Sequence, residues 1–489
     1  MRFRRAAIAL LAAGALGGGA RAAPGSPPTT TFAAAGTQAE ATLLGVYYAG
    51  NGQWSECDPP ACGQANSDWG VDALTGALHL RWQTDGDTTI PPVLASLAGT
   101  SPTYPAACDL GSCQSWSDVP EWDAIAALRE YDVSHDPHTL AKAESAFSFV
   151  ESGSAFALGA CPEIRYQQPG GQVNHLKTLE TDANAIKAAI LLFQATADHS
   201  YLDDAVRDYA AVRARFLDPS VPLYSVYVFD DGQTCTQVPH RFFASVNGDM
   251  IWNGLELARI TGTQTYLADA VSTARAVAAD LSDPAGVFAD MQAENDIVEP
   301  LVEAMYGLAT EGGMQFAREW ILTNAASAIS DRTADGSFGR FFDGPVPRTT
   351  VTAWQTSGGL ALEIAAAALD PAGVVSTADS WAGARRVSRS LGPTGRISFT
   401  GSAIALYGTL GEACCEAGHA RMYVDGRETF DGTGIWQDKS SSGLRIPGTV
   451  LFAWRWPHAG HHTISFAPGV ANGKEGGSFL HIRGYLVKA

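Results

Sequence analysis

The chain has 489 residues, of which 46% are hydrophobic and 17% are charged, and its formal net charge at pH 7 is −19. A chain of this length and composition is able to bury more than one core, which predicts a multidomain protein. So large an excess of negative charge argues against nucleic acids and anionic membranes as partners.

The first 22 residues have the composition of a secretory signal peptide. Residues 1–5 are basic, residues 6–16 are apolar, and Ala20-Arg21-Ala22 has the small-x-small pattern of a cleavage site. The apolar run is too short to span a bilayer, and no later segment has an uninterrupted apolar run of about 18 residues. The pattern predicts a secreted protein, extracellular or periplasmic, with no membrane segment after signal removal. Residues 23–41, rich in Ala, Pro, Thr and Gly, are expected to be a disordered lead-in.

The chain contains eight cysteines. In an exported protein they are expected to form disulfides rather than to bind metal, and no Cys/His cluster has zinc spacing. Sequence alone does not determine their connectivity. Their order suggests the following pairs: Cys57–Cys62, Cys108–Cys113, Cys161–Cys235 and a vicinal Cys414–Cys415.

Residues 42–371 have helical periodicity and contain an internal repeat. Five residues recur at a constant offset of 65 residues, namely Leu192, Thr196, Tyr201, Leu202 and Ala205, then Leu257, Thr261, Tyr266, Leu267 and Ala270. A looser copy lies one period earlier, between Leu128 and Ala143. Because the period is longer than one helix, the unit is a helical hairpin whose apolar face is buried when neighbouring hairpins stack on it. The pattern predicts an all-α ring of hairpins, an architecture common among glycan-processing proteins.

The pattern changes after residue 371. Residues 372–380 are expected to be a linker, and in residues 381–489 apolar residues alternate, as in Arg396-Ile397-Ser398-Phe399. Asp425-Gly426 follows a short apolar run and is a hairpin signal. This segment predicts a small antiparallel β-sandwich.

The helical segment resembles glycoside hydrolase family 76, the endo-α-1,6-mannanases and their relatives. The similarity lies in the order and spacing of short motifs: Tyr48, Gly52, Trp54 and Trp69, then Thr181-Asp182-Ala183-Asn184, Ser245-Val246-Asn247-Gly248-Asp249, Asn324-Ala325, Gly336-Ser337-Phe338-Gly339 and Thr356-Ser357. The resemblance implies an (α/α)6 toroid and an enzyme that acts on an α-mannan-like polysaccharide.

Asp118 is the principal catalytic candidate. In the family this region carries two consecutive aspartates followed by a tryptophan, and these serve as nucleophile and general acid/base. With Trp122 as the anchor, Asp118 matches the first aspartate and Val119 stands at the second; another register makes Asp118 the second, with one inserted residue. Glycoside cleavage needs two carboxyl groups, so Glu121 or Asp123 is the candidate partner.

A structural role is also open for these acids. Asp118-x-x-Glu121, with Pro120 between them, has the pattern of a capping box that begins a helix. Glu180 and Asp182 stand at another helix start, where the helix dipole favours acidic side chains, so they either cap this helix or line a cleft.

The remaining candidates are substrate-binding residues. Aromatic rings stack on sugar faces and amides and carboxylates bind hydroxyl groups, although large aromatic residues are more often half-buried packing. The resemblance and the residue types together give these candidates: Trp69, Trp122, Asp182, Asn184, Asn247, Asp249 and Trp252.

The predicted sandwich resembles the carbohydrate-binding modules of secreted glycosidases, through Phe399-Thr400-Gly401, Ala405-Leu406-Tyr407-Gly408 and Val424-Asp425-Gly426. Trp436, Trp454 and Trp456 are candidates for a sugar-stacking platform. Trp454 and Trp456 share one face of a strand, however, and are equally candidates for the core.

The sequence therefore predicts a secreted glycoside hydrolase that cleaves an α-mannan-like polysaccharide with a carboxylate pair. Two alternatives stay open. One is a non-catalytic glycan-binding protein with a degenerate pair, and the other is a transglycosylase of cell-wall glycans. We expect no metal, no cofactor and a monomer.

Overall fold

The computed structural model describes thirteen ranges of the chain. They are residues 27–58, 62–65, 69–100, 117–151, 159–165, 176–238, 241–289, 297–391, 394–410, 420–429, 434–435, 445–468 and 481–489. The predicted signal peptide and the cysteine pairs Cys108–Cys113 and Cys414–Cys415 lie outside these ranges.

Twelve α-helices in the described ranges form a double ring. The inner helices are α2 (Trp69–Asp85), α4 (Val119–Ser134), α6 (Leu179–Thr196), α8 (Ala244–Thr261), α10 (Glu299–Thr310) and α12 (Ala353–Leu369). The outer helices are α1 (Phe32–Thr42, followed by a π-helical turn at Leu43–Tyr47), α3 (Pro91–Thr100), α5 (Pro137–Val150), α7 (His199–Phe216), α9 (Gln264–Asp280) and α11 (Gln315–Ser330). Each inner helix packs against the next, and α12 packs against α2, which closes the ring. The predicted (α/α)6 toroid is confirmed.

The repeat in the sequence corresponds to the hairpins α6–α7 and α8–α9. The first helix of each hairpin ends in a left-handed residue, Ala197 with φ 60° and Gly262 with φ 75°. That conformation reverses the chain within a short turn. The repeated alanines Ala205 and Ala270 are 0% and 1% exposed, because the small side chain lets the outer helix approach its neighbours.

The start of the described chain corrects the prediction of a disordered lead-in at 23–41. Residues 29–31 form strand β1 (Thr29–Thr31), and α1 begins at Phe32, where the Thr31 side chain accepts a hydrogen bond from the Ala34 amide. Strand β1 pairs with β10 (Val374–Ser376), within the segment predicted to be a linker. Buried alanines on α1 pack against α12, so this segment is part of the ring.

Short strands connect the helices of the ring. They form three small antiparallel sheets: β2 (Tyr48–Gly50) with β3 (Gln53–Ser55) and β5 (Gln64–Ala65); β4 (Cys57–Asp58) with β9 (Val351–Thr352); and β6 (Leu176–Thr178) with β7 (Tyr227–Asp230) and β8 (Cys235–Gln237). The predicted disulfides Cys57–Cys62 and Cys161–Cys235 are both present. The second connects the chain before α6 to the strand before α8.

The C-terminal segment forms one seven-stranded antiparallel sheet. Its strands are β11 (Arg385–Val387), β12 (Arg396–Leu410), β13 (Ala420–Val424), β14 (Arg427–Glu428), β15 (Gly434–Ile435), β16 (Ile446–Pro468) and β17 (Gly484–Lys488). The long strands β12 and β16 pair along their length and bend at three irregular points. Because all described strands belong to one hydrogen-bonded sheet, the predicted two-sheet sandwich is not confirmed.

The sheet packs directly on the ring. The Arg455 backbone amide donates to Asp283 at 3.0 Å and its guanidinium donates to the Asp343 carbonyl at 3.1 Å. The Trp381 indole donates to that same carbonyl at 2.8 Å. Phe341 of the ring and Phe452 of β16 meet edge to face. These contacts hold the sheet against loops that lead into inner helices.

None of the described helices has both the length and the apolar content required to cross a membrane.

Candidate active site at the mouth of the ring

All six inner helices begin at the same end of the ring, which we call the mouth. Inner and outer helices alternate along the chain, and short turns join each inner helix to the outer helix that follows it, as between Thr196 and His199. Such hairpins run antiparallel, so the inner helices are parallel to one another. The mouth therefore collects the N-terminal ends of the inner helices, which carry partial positive charge.

Asp118 lies at the mouth, immediately before α4, and is half-exposed. Arg129 follows it by about three helical turns, so the two side chains lie on the same side of α4. Arg129 forms ion pairs with Glu299 and Glu303 of α10, across the ring. Asp118 consequently lies on the side of α4 that faces the ring axis.

The capping-box interpretation of Asp118 is wrong. The Asp118 carbonyl accepts hydrogen bonds from the amides of Glu121 and Trp122, at 3.1 and 3.0 Å, but its side chain does not cap the helix. Pro120 occupies the first turn, as expected, where its missing N–H is not needed. The carboxylate of Asp118 is therefore not the cap of α4.

Glu121 lies inside the wall of the ring and not in the cleft. It is 0% exposed, and neither carboxyl oxygen has a hydrogen-bond partner among the described residues. Burial raises the pKa of the Glu121 carboxyl well above its usual range, and nearby Arg165 only partly offsets this effect. The prediction that Glu121 is the catalytic partner of Asp118 is not supported, because the acid has no access to a substrate.

Asp123 points away from the ring axis. It lies about 140° around the helix from Asp118 and is 6% exposed. Its charge acts on Lys142 of the outer helix α5. The structure therefore does not bring Asp123 and Asp118 to one face, and Asp123 is not supported as the partner either.

Glu180 is a second acid at the mouth, on the helix next to the one that follows Asp118. It lies in the first turn of α6, the helix next to α4, and is half-exposed. Lys187 follows it by about two helical turns and points to the ring axis, so Glu180 faces the axis as well. The Thr178 hydroxyl donates to the Glu180 carboxylate at 3.2 Å. Asp118 and Glu180 are thus solvent-reaching acids on the axis-facing sides of neighbouring helices.

Asp182 belongs to a buried ion cluster in the wall, contrary to its predicted role in substrate binding. Its carboxylate accepts from Arg165 at 2.9 Å, and Arg165 also binds Asp208 at 2.8 Å and Glu151. Burial raises the pKa of Asp182 to about 7, against the opposing effect of Arg165. The cluster joins the outer helices α5 and α7 to α6.

The ring axis below the mouth is closed by a buried ion network, which we call the floor. Lys187 donates to Asp249 at 3.0 Å and to Glu303 at 2.7 Å, while Arg129 donates to Glu303 at 2.9 Å and to Glu299 at 3.2 Å. Burial raises the pKa of Glu299 to about 7. The floor connects α4, α6, α8 and α10. Asp249, predicted to bind substrate, is one of its members.

Trp252 packs beside the floor. It is half-buried, and its ring centroid lies 5.2 Å from the Lys187 ammonium nitrogen. It follows Asp249 along α8 and therefore lies farther from the mouth. The ring makes a cation–π contact with Lys187, and its stacking on a sugar stays a prediction.

The two predicted asparagines are both buried. Asn247 is 0% exposed. Its side-chain oxygen accepts a hydrogen bond from the Tyr224 amide, and its side-chain nitrogen donates to the Tyr224 and Phe243 carbonyls. It therefore positions the segment before α8 and does not line the groove. Asn184 is 1% exposed, and its carbonyl oxygen has no hydrogen-bond partner in the part of the chain that the structure describes.

Trp122 and Trp69 are the other two tryptophans predicted to bind substrate. Trp122 is 6% exposed and packs in one cluster with Trp354 of α12 and with Leu410 and Ile446 of the sheet. It is therefore core rather than a sugar platform. The Trp69 side chain lies outside the described part of the structure.

The C-terminal aromatic residues are also core. Trp454 stacks on Phe452 at 5.7 Å between centroids, and Trp456 stacks on His462 at 3.8 Å. Both tryptophans are less than a tenth exposed, so they do not form the predicted platform. Trp436 lies outside the described residues.

The described residues contain no group of three or more His, Cys, Asp or Glu side chains arranged to hold a metal ion.

The sequence analysis missed Glu180 as a partner for Asp118 and missed most of the floor. A sequence signal for the floor exists: Lys187 interrupts the apolar stripe from Ala183 to Ile190, and a lone lysine on such a face needs a buried acid. Its partners lie far along the chain and have no local signal.

The comparisons with known proteins concern the fold of the ring. No protein-family model matches the sequence, and no curated protein matches it. Solved structures do match the ring, and several of them are described as mannanases or mannosidases of glycoside hydrolase family 76. One is an inactive variant of an α-1,6-mannanase from a Salegentibacter species, with two consecutive aspartates replaced, in complex with α-1,6-mannotetraose. It is 19% identical, covers 70% of this chain and 100% of its own, and superimposes with a TM-score of 0.58.

Two further structures extend the comparison. An α-mannanase of the same family from Bacteroides thetaiotaomicron is 15% identical, covers 69% of this chain and 96% of its own, and has a TM-score of 0.56. Dfg5 from Chaetomium thermophilum, in complex with glucosamine, is 13% identical, covers 72% and 96%, and has a TM-score of 0.54. At these identities the comparisons establish the fold of the ring.

Proposed function

We propose that this protein is a secreted glycoside hydrolase that cleaves an α-mannan-like polysaccharide at the mouth of the ring. The observation that carries the proposal is the placement of Asp118 and Glu180. Both acids reach solvent and face the ring axis on neighbouring inner helices, whereas Glu121, Asp123 and Asp182 are buried.

The chemistry requires one carboxyl group to protonate the departing oxygen and another to attack the sugar or activate water. In our proposal Asp118 is the attacking group, since it stands in the register of the first aspartate of the family pair. Glu180 is the proton donor. It takes the role of the second aspartate of the family pair, a position at which this chain has Val119. The partial positive charge of the inner-helix ends stabilises the ionised form of an attacking carboxylate.

The substrate class rests on the similar structures. The Salegentibacter enzyme binds α-1,6-mannotetraose in a ring of the same fold. In this chain the floor closes the axis, so a polysaccharide enters from the mouth only. Secretion is supported by the disulfides Cys57–Cys62 and Cys161–Cys235, because such bonds persist mainly in oxidising compartments.

The decisive experiment compares the purified protein with Asp118→Asn and Glu180→Gln on an unbranched α-1,6-mannan, with released oligosaccharides as the measurement. Both variants should lose about 10²- to 10⁴-fold in rate, the usual contribution of a catalytic acid or base. Glu319→Gln is the matched control, because Glu319 is an exposed acid on the outer helix α11. Unchanged cleavage by Glu180→Gln would contradict the assignment of the pair.

Val119 favours one alternative, a glycan-binding protein that no longer cleaves. In that case the unaltered protein and both variants are equally inactive, while the polysaccharide still binds. Isothermal titration with α-1,6-mannotetraose separates the two functions, because it measures binding without turnover.

A further inference from the structure

A cavity of about 230 Å³ lies between the ring and the C-terminal sheet. One wall is the loop from Gly339 to Val351, which leads into α12, together with Gln355 in the first turn of that helix. The other wall comes from the sheet, through Arg386, Tyr407, Leu486 and residues 448–450. Because α12 begins at the mouth, the cavity opens on the same end of the ring as Asp118.

The described lining of this cavity is positively charged. Among the residues that the structure describes, it includes Arg340, Arg348 and Arg386 and no aspartate or glutamate. The chain as a whole carries a net charge of −19, whereas residues 377–489, which supply the sheet side of the cavity, contain 12 lysines and arginines and 8 aspartates and glutamates. Three guanidinium groups around one cavity produce a local positive potential that attracts anions.

Two of these arginines have no acidic partner in the described part of the chain. Arg386 donates from Nε to the Tyr407 hydroxyl at 2.9 Å, and its guanidinium carbon lies 4.6 Å from the centroid of the tyrosine ring. Arg348 is exposed at the rim and forms no ion pair with a described residue. The stacking on Tyr407 orients the planar guanidinium group of Arg386, and most of its N–H donors can still bind a ligand.

Arg340 supports the inner wall. It is 4% exposed, and its guanidinium carbon lies 5.5 Å from the ring centroid of Trp354. Trp354 belongs to the same packed cluster as Trp122, one helical turn after Asp118. A path of packed side chains, from Arg340 through Trp354 to Trp122, therefore leads from the cavity toward the start of α4.

The size and the remaining walls restrict the ligand. Pockets for drug-sized molecules measure about 300 to 1,000 Å³, so this cavity suits one small unit rather than a run of a polymer. Pro345, Val346, Pro347 and Val450 supply an apolar surface, and Gln355 supplies an amide. An apolar wall with a few polar groups suits the C–H face and the hydroxyls of one sugar ring.

We propose that this cavity binds one sugar unit that carries an anionic group, a phosphate ester or a carboxylate. Arg386 and Arg348 bind the anion, because planar guanidinium groups pair with both kinds of oxyanion in a two-pronged geometry. The sugar ring lies on the apolar wall and bonds Gln355. If the charged sugar is a side group of the polysaccharide, this inference rests on the proposed function. The binding of an anionic sugar in the cavity does not depend on that function.

The test is isothermal titration of the full chain with mannose 6-phosphate, glucuronate, mannose and inorganic phosphate. We expect mannose 6-phosphate or glucuronate, or both, to bind at least about tenfold more tightly than mannose and than inorganic phosphate. Which of the two binds more tightly identifies the anion. Equal binding of mannose would overturn the role of charge, and equal binding of inorganic phosphate would overturn the role of the sugar.

The variant is the double substitution Arg348→Gln with Arg386→Gln, and the matched control is Arg385→Gln. Arg385 precedes Arg386 on β11 and does not line the cavity, since alternate side chains of a strand point to opposite faces. The double variant should lose at least about tenfold in affinity for the charged sugar, whereas Arg385→Gln retains it. Equal affinity in all three proteins would overturn the site.

The same titration with Asp118→Asn separates this inference from the proposed function, because neither mannose 6-phosphate nor glucuronate contains a glycosidic bond. Charged-sugar binding that persists in an Asp118→Asn protein with no hydrolytic activity supports both proposals. Charged-sugar binding together with full cleavage by Asp118→Asn overturns the catalytic assignment alone. Loss of cleavage without any charged-sugar binding overturns the cavity alone.

Discussion

Leu410, the last residue of β12, pairs with Ile446, the first residue of β16, and this pair packs on the first turns of the inner helices. The two side chains are 0% and 3% exposed. Their contacts include Trp122 and Trp354 in the same cluster. The C-terminal sheet is thus a fixed part of the mouth, and not a module on a flexible linker.

We therefore expect Leu410→Ala to destabilise the ring and the sheet together. Removing a buried leucine side chain costs about 2 to 5 kcal/mol of unfolding free energy, because transfer and cavity costs add. Val374→Ala, at a residue that is 66% exposed, is the control and should change stability by less than about 0.5 kcal/mol. Urea unfolding followed by tryptophan fluorescence measures both. A separate, early transition of the sheet would contradict the fixed contact.

The floor leads to a second prediction. Arg129→Met removes the cation shared by Glu299 and Glu303, so that Glu299 loses its ion pair while Glu303 keeps only Lys187. Removing one partner of a buried ion pair lowers the free energy of unfolding by about 3 to 5 kcal/mol. Arg213→Met is the matched control, because its pair with Asp269 is exposed and such pairs contribute about 1 kcal/mol or less. Equal unfolding midpoints of the two variants in urea would show that the floor does not stabilise the ring.

The contact between ring and sheet predicts a dependence of stability on pH. Burial raises the pKa of Asp331 to about 6, although Ser380 and Arg455 oppose the shift. The folded state therefore binds the proton more tightly than the unfolded state, in which an aspartate titrates near pH 4. The contribution of this group is complete below about pH 4 and is lost as the pH rises to about 6. The loss is about 3 kcal/mol, because the pKa differs by about two units and each unit corresponds to about 1.4 kcal/mol.

Asp331→Asn tests this effect, because the amide keeps the shape and the bonds to Ser380. The variant should match the unaltered protein at pH 4 and exceed it in thermal stability at pH 7. Glu319→Gln, at an exposed position, should show the same dependence of thermal stability on pH as the unaltered protein. Parallel curves for Asp331→Asn and the unaltered protein would show that Asp331 does not titrate in this range.

The ring could be predicted from the sequence because its signals are local. The repeated Tyr201-Leu202 and Tyr266-Leu267 mark the starts of outer helices, and the chain reverses just before them, at Ala197 and Gly262. The site could be predicted only in part. Helical spacing from Arg129 orients Asp118 once the ring axis is known, but nothing near Asp118 in sequence shows where the axis lies. The short distance in sequence between Asp118 and Glu121 favoured a pairing that the folded helix does not allow.

Glu121 provides the sharpest test of the carboxylate assignment. Burial raises its pKa well above the usual range, and the side chain lies inside the wall with 0% exposure. Glu121→Gln keeps the shape of this buried side chain, and we expect mannan cleavage within about threefold of the unaltered rate, because burial disfavours the charged form and the amide carries no charge. Asp118→Asn, one helical turn away, should lose about 10² to 10⁴ in rate. Initial rates of oligosaccharide release for the two variants, side by side, decide between the assignments. A large loss in Glu121→Gln with an unfolding midpoint equal to that of the unaltered protein would return the catalytic role to Glu121 and remove it from Glu180.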